Sequence, residues 1–140
     1  MAFMATGVRR TRRAVLFARR VFAIAGLSGL ALLLPLYFLE ERISAEMPPA
    51  IAHPELYYGF VGLALAWQVL FLVIARAPSH YRTMMLPAIL EKLAFGVPVV
   101  ILVFQGRTAI LMIGPGLLDL VFAVLFFLAF RRTPSPQEPE

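Results

Sequence analysis

Four long apolar runs organise this chain, over residues 21–39, 57–75, 84–104 and 109–130. Each is close to the ~20 residues that cross ~30 Å of hydrocarbon at ~1.5 Å per residue. None alternates with period two, and a closed barrel would need more strands. The pattern predicts an all-α integral membrane four-helix bundle. A basic segment over residues 1–20 precedes it. A disordered tail over residues 131–140, with Pro134, Pro136 and Pro139, follows it.

The longest polar stretch, residues 40–56, carries Glu40, Glu41, Glu46 and Glu55 against Arg42, with Pro48, Pro49 and Pro54. Proline breaks helices, so an ordered extramembrane loop is expected here. Further prolines, Pro87, Pro98 and Pro115, fall in the last two runs and predict kinks. Gly26, Gly29, Gly59, Gly62 and Gly96 permit close helix approach. No internal repeat is evident, which counts against an inverted-repeat transporter.

Composition strengthens the membrane reading. Of 140 residues, 61% are hydrophobic, against about 45–50% in soluble domains. So small a chain cannot bury that excess in a water-soluble core. The net charge of +5 does not point to nucleic acid, because the cations flank apolar runs instead of forming a separate basic domain. Without cysteine, disulfides, thiolate nucleophiles and cysteine metal sites are excluded.

The cations also orient the chain. Arg9, Arg10, Arg12, Arg13, Arg19 and Arg20 precede the first run, Arg76 and Arg82 lie between the second and third, and Arg131 and Arg132 follow the fourth. Only Arg42 and Arg107 fall on the other side. The positive-inside rule then places both termini in the cytoplasm. The arginines near Arg12-Arg13 loosely resemble a twin-arginine signal, but Arg19 and Arg20 interrupt it. The apolar run is also longer than a signal core, so a retained first helix is expected.

Ionisable groups inside a membrane cost ~2.5–3.5 kcal/mol each near a helix centre, and mark function by default. Glu91 and Lys92 lie in the third run, Asp119 in the fourth and Gln68 in the second. Counted from the arginines at the run ends, all lie about 12–18 Å deep. They predict one polar layer, with Lys92 paired to Asp119 or Glu91 and Gln68 beside them. That layer reads structurally as a neutralised network fixing helix register. Functionally it reads as a proton- or ligand-handling site. The first run holds no such group, so its helix is expected at the periphery. His53, Glu55 and Tyr58 are candidates near the outer loop. His53 and His80 fall on opposite sides of the membrane, so they cannot jointly hold haem or a metal. No other metal spacing, phosphate-binding loop or serine elbow is present, and no cofactor is expected.

Across residues 53–106, His53-Pro54-Glu55, Tyr57-Tyr58-Gly59-Phe60, Ala66-Trp67-Gln68, Tyr81-Arg82, Leu86-Pro87 and Leu90-Glu91-Lys92 resemble a pattern in small bacterial four-helix membrane proteins. In size and topology alone the chain is loosely similar to DoxX-like proteins. The resemblance implies a bacterial inner-membrane location and brings no activity with it. Small multidrug transporters have a key Glu in the first helix, which is uncharged here. Vitamin K epoxide reductase and DsbB-like proteins need cysteines, and the polar motifs of membrane glutathione transferases are absent.

Three functional expectations result. The first is a non-catalytic subunit or accessory protein with a membrane-protein partner or a second copy of itself. The second is a small transporter or lipophilic-ligand binder using the polar layer. The third is an outer-surface enzyme using Glu55 or His53. All three assume the lipid bilayer as surroundings and no nucleic acid.

Overall fold

The computed structural model describes residues 2–46 and 50–135, with side chains from Thr11 onward. It is all-α among the described residues. Four helices are long and apolar enough to cross a membrane, with spans Thr11–Phe38, Pro54–Arg76, Arg82–Phe104 and Ile110–Arg132. The protein is a multi-pass four-helix bundle.

The first helix, α1 (Ala2–Leu33), has 32 residues, or about 48 Å at the helical rise. It therefore extends beyond the hydrocarbon, and residues 2–20 are helical and continuous with the first apolar run. Pro35 ends it. A proline has no N–H for the ladder, and the chain tightens into a 3-10 turn over Leu34–Phe38. The outer connection then departs from expectation. A short helix, α2 (Glu40–Glu46), fills its first half. The helix-breaking prolines come later: Pro48 and Pro49 lie outside the described residues, and Pro54 begins the next helix. Two carboxylates, Glu40 and Glu41, open α2, where the helix dipole favours them.

Helix α3 (Pro54–Arg76) starts on proline, whose missing N–H costs nothing in a first turn. Helix α4 (Met85–Phe104) and helix α5 (Ile113–Arg132) complete the bundle. Pro87 and Pro115 also fall in first turns, so neither breaks a ladder. Pro98 alone lies inside a helix. Gly106, at φ +67°, turns the chain between α4 and α5 in a conformation that suits glycine. The tail expected from residue 131 starts later: α5 runs through Arg132 and Thr133 is buried. Residues 136–140, where the rest of that expectation falls, lie outside the described residues.

Helix α1 packs against α3 and α5, and α4 packs against α5, while α3 and α4 barely meet. The expectation of a peripheral first helix is therefore wrong. The lack of charge in its apolar run reflects packing against aromatic side chains of α3 and α5. Ala18, Val21, Phe22 and Ala25 are buried along one face, at the i, i+3, i+4, i+7 spacing of a helix stripe. Phe22 stacks on Phe126 of α5 at 4.0 Å between centroids, and Phe71 of α3 meets Phe126 edge-on at 5.0 Å. All three rings are fully buried.

Small residues set the helix spacing. A side chain on Gly29 would collide with Gln68, and one on Gly26 would meet the Gln68 carbonyl at 2.9 Å. Between α4 and α5, a Cβ on Gly96 would come within 3.0 Å of the Gly116 carbonyl. Gly62 is close only to Tyr37, and Gly59 has nothing within 4 Å. Lipid tails are as apolar as the core, so packing, not water exclusion, holds the helices together.

A phenyl-sized void of ~100 Å³ costs about 2 kcal/mol at ~24 cal/mol per Å³. Phe126→Ala is therefore expected to melt well below wild type in detergent, while Phe127→Ala, on the lipid-facing side, stays close to it. Equal melting of the two variants would refute the aromatic core.

Candidate intramembrane binding site

Lys92 on α4 is buried, and its ammonium reaches two carboxylates. Nζ donates to Asp119 Oδ1 of α5 at 3.0 Å. It lies 3.2 Å from Glu91 Oε2 as an ion pair and donates a long 3.5 Å bond to Glu91 Oε1. Glu91 and Lys92 are neighbours on one helix, about 100° apart, yet both side chains bend to one point. Side-chain exposure is 7% for Lys92, 15% for Glu91 and 16% for Asp119. These low values set the cluster apart from screened surface pairs. The ammonium also lies 5.3 Å from the Phe71 ring centroid, within cation–π range.

Gln68 is at the same level but does not join the cluster. Its Nε2 donates to the Ala64 carbonyl of its own helix at 3.0 Å, and its side chain packs on Gly29. The four expected residues thus divide into a charged triad of Glu91, Lys92 and Asp119 and a glutamine at the α1–α3 contact that is not bonded to it, although all four line one cavity.

The triad forms the floor of a cavity of about 540 Å³. All four long helices supply walls, among them Leu32 and Ser28 of α1, Phe60 and Ala64 of α3, Phe95 of α4 and Leu118 of α5. The walls are chiefly apolar. Phe60 and Phe95, 5.9 Å apart, bridge the loose α3–α4 side. Below the triad the phenylalanine cluster and Met85, Ala88 and Ala129 pack closely. The bundle is therefore closed in its arginine-bearing half and hollow in the other.

Two carboxylates face one ammonium. With all three groups ionised the floor carries one net negative charge. Glu91 Oε2 is buried and faces the Lys92 ammonium at 3.2 Å, but accepts no well-aligned hydrogen bond among the described residues. A net negative charge in a low-dielectric site favours a further cation.

The outer candidates gather elsewhere. His53 Nδ1 and Glu55 Oε1 are 3.1 Å apart, and both side chains are exposed. Tyr58 belongs to α3, not to the loop, and donates to Glu40 Oε2 at 2.6 Å. Tyr57 donates to the Leu36 carbonyl at 2.7 Å. These tyrosines tie α2 and the 3-10 turn to α3. The cavity above the triad is lined by none of His53, Glu55 and Tyr58.

Nothing among protein families, characterised proteins or solved structures matches this chain. Function must be read from the geometry of the site.

Removing one partner of a buried ion pair costs ~3–5 kcal/mol, because it strands the other charge. Lys92→Met is thus expected to be strongly destabilised in detergent, with two carboxylates left together. Adding Asp119→Asn and Glu91→Gln to Lys92→Met should restore most of the loss. A triple variant no more stable than Lys92→Met would contradict the charge coupling.

Proposed function

We propose that the protein binds a small lipophilic cation in the cavity of its hollow half, within a bacterial inner membrane and with both termini cytoplasmic. The carrying observation is the floor: one ammonium shared by two carboxylates, which leaves one net negative charge beneath chiefly apolar walls. A purely register-fixing network needs no cavity above it, so the binding reading takes precedence over that of an accessory subunit. At about 540 Å³ the cavity falls in the ~300–1,000 Å³ range of small-molecule sites. Orientation is supported by the gathering of Arg19, Arg82 and Arg132 at one end, where they contact Ala75, Thr133 and Phe17. The bacterial setting rests on the motif resemblance over residues 53–106.

The site works by exchange. Lys92 neutralises one carboxylate, and a proton or a bound cation meets the remaining negative charge. A cationic ligand entering over Glu91 displaces that proton, which leaves to water, so ligand and proton compete. Apolar walls hold the ligand's body, and Phe60 and Phe95 offer aromatic faces to its charge. The loose α3–α4 side gives a lipophile in the bilayer a short path in.

With tetraphenylphosphonium as probe, binding to purified protein should strengthen up to tenfold per pH unit while the proton competes, then level off. Glu91→Gln should weaken it at least tenfold and remove the pH dependence. Ala64→Phe, which fills the cavity, should abolish it. Unchanged affinity in Glu91→Gln, with melting equal to wild type, would overturn the cation assignment.

A further inference from the structure

Five of the arginines at the closed end fall into two groups, to neither of which Arg12, Arg20 or Arg76 belongs. One group is bonded to the bundle. Arg19 donates from Nε to the Ala75 carbonyl at 3.2 Å and from Nη2 to the Arg76 carbonyl at 3.1 Å, closing the end of α3. Arg82 donates to the Thr133 carbonyl at 2.8 Å and lies 4.0 Å from the Phe130 ring centroid. These guanidiniums satisfy the carbonyls that a helix end leaves unpaired.

The second group has another arrangement. Arg13 on α1, and Arg131 and Arg132 at the end of α5, line a cleft of about 720 Å³, with Thr11, Phe17 and Pro134. None of the three arginines makes a hydrogen bond or ion pair among the described residues. The side chains of Arg131 and Arg132 rest on aromatic rings instead. Arg132 lies 5.1 Å from the Phe17 centroid and Arg131 lies 5.9 Å from that of Phe127. Stacking of this kind holds a guanidinium without using its N–H donors. The described carboxylates lie elsewhere: Glu40, Glu41, Glu46 and Glu55 at the opposite end, Glu91 and Asp119 in the interior.

Position defines the ligand further. The cleft sits where the apolar surface of α1 and α5 gives way to arginine. On one flank Leu16 is exposed, and on the other Phe127. An occupant must therefore present negative charge at the cleft and apolar bulk beside it. A phosphate diester offers oxygens to the planar forks of arginine, and acyl chains fit the exposed flanks.

We infer that the cleft between the start of α1 and the end of α5 is a binding site for the headgroup of an anionic phospholipid, held by Arg13, Arg131 and Arg132. Because α1 and α5 come from opposite ends of the chain, such a lipid would clamp the two helices that also share the Phe22–Phe126 stack. The site is independent of the cavity, and either can stand without the other.

The test uses full-length protein in a nonionic detergent, with bound lipid counted by native mass spectrometry. Phosphatidylglycerol should bind at least tenfold more tightly than phosphatidylcholine and should raise the melting temperature. Arg13→Gln and Arg132→Gln should each lose most of that preference while melting like wild type without lipid. Arg20→Gln, at the same end but outside the cleft, should keep it. Arg132→Lys should keep part of it, having the charge without the planar fork. Equal loss in Arg20→Gln and Arg132→Gln would overturn the site in favour of diffuse surface charge. Displacement of the lipid by millimolar inorganic phosphate would overturn the lipid assignment in favour of a free-anion site. Preference that emerges only after deleting residues 136–140 would assign the cleft to the chain's own acidic end, and would equally overturn it.

Discussion

Lys92 carries an ammonium into a bundle whose surroundings supply no water to solvate it. Once it is there, the positions of α4 and α5 are no longer independent. Asp119 must lie within hydrogen-bond reach of Nζ, and that fixes the rotation and depth of both helices. Gly96 and Gly116 let the backbones come close enough for the bond to form. Glu91 then adds a second carboxylate to a single ammonium, which a helix built for stability alone would not need. The rest of the interior is arranged around this excess charge, with aromatic rings on one side and open space on the other.

The division of the bundle into a closed and a hollow half has a simple origin in side-chain size and placement. In the closed half, Phe22, Phe71 and Phe126 meet alanines such as Ala18, Ala75, Ala88 and Ala129, so large and small residues interlock. In the hollow half, Pro35 ends α1 early and diverts the chain into a tighter turn. There α3 and α4 contribute few mutual contacts, and two phenylalanines span the gap. A bundle packed evenly along its length would have left the triad sealed and chemically silent.

Much of this was legible in the sequence. Span number and type came from run length, because a hydrocarbon layer of fixed thickness leaves a long apolar run few alternatives. The polar layer followed from counting residues from the arginines, and Lys92 and Asp119 do meet. Four things were not legible. Neighbour relations among helices depend on shape, and the uncharged apolar run of α1 looks peripheral until Phe22 is seen packed with Phe71 and Phe126. Gln68 has donors and acceptors for the triad, but its own helix and Gly29 claim it first. The helix α2 was hidden because prolines a few residues later dominate a reading of that stretch, although its acidic first turn was a usable signal. For Pro87 and Pro115, the break depended on where each helix begins, which a continuous apolar run does not reveal.

The phenylalanine cluster has a further consequence. With Phe22, Phe71 and Phe126 packed beneath the triad, the chamber is a cup with a solid base. Under the proposed binding role, a solute held on Glu91 would exchange with the bilayer and the far compartment, not with the compartment on the arginine side. Its occupancy then reports the composition of one side of the membrane alone, whatever gradient exists across it. To become a conduit the protein would have to unstack two rings that lie 4.0 Å apart at the centre of its best-packed region. In this conformation the cavity is closed toward the arginine side.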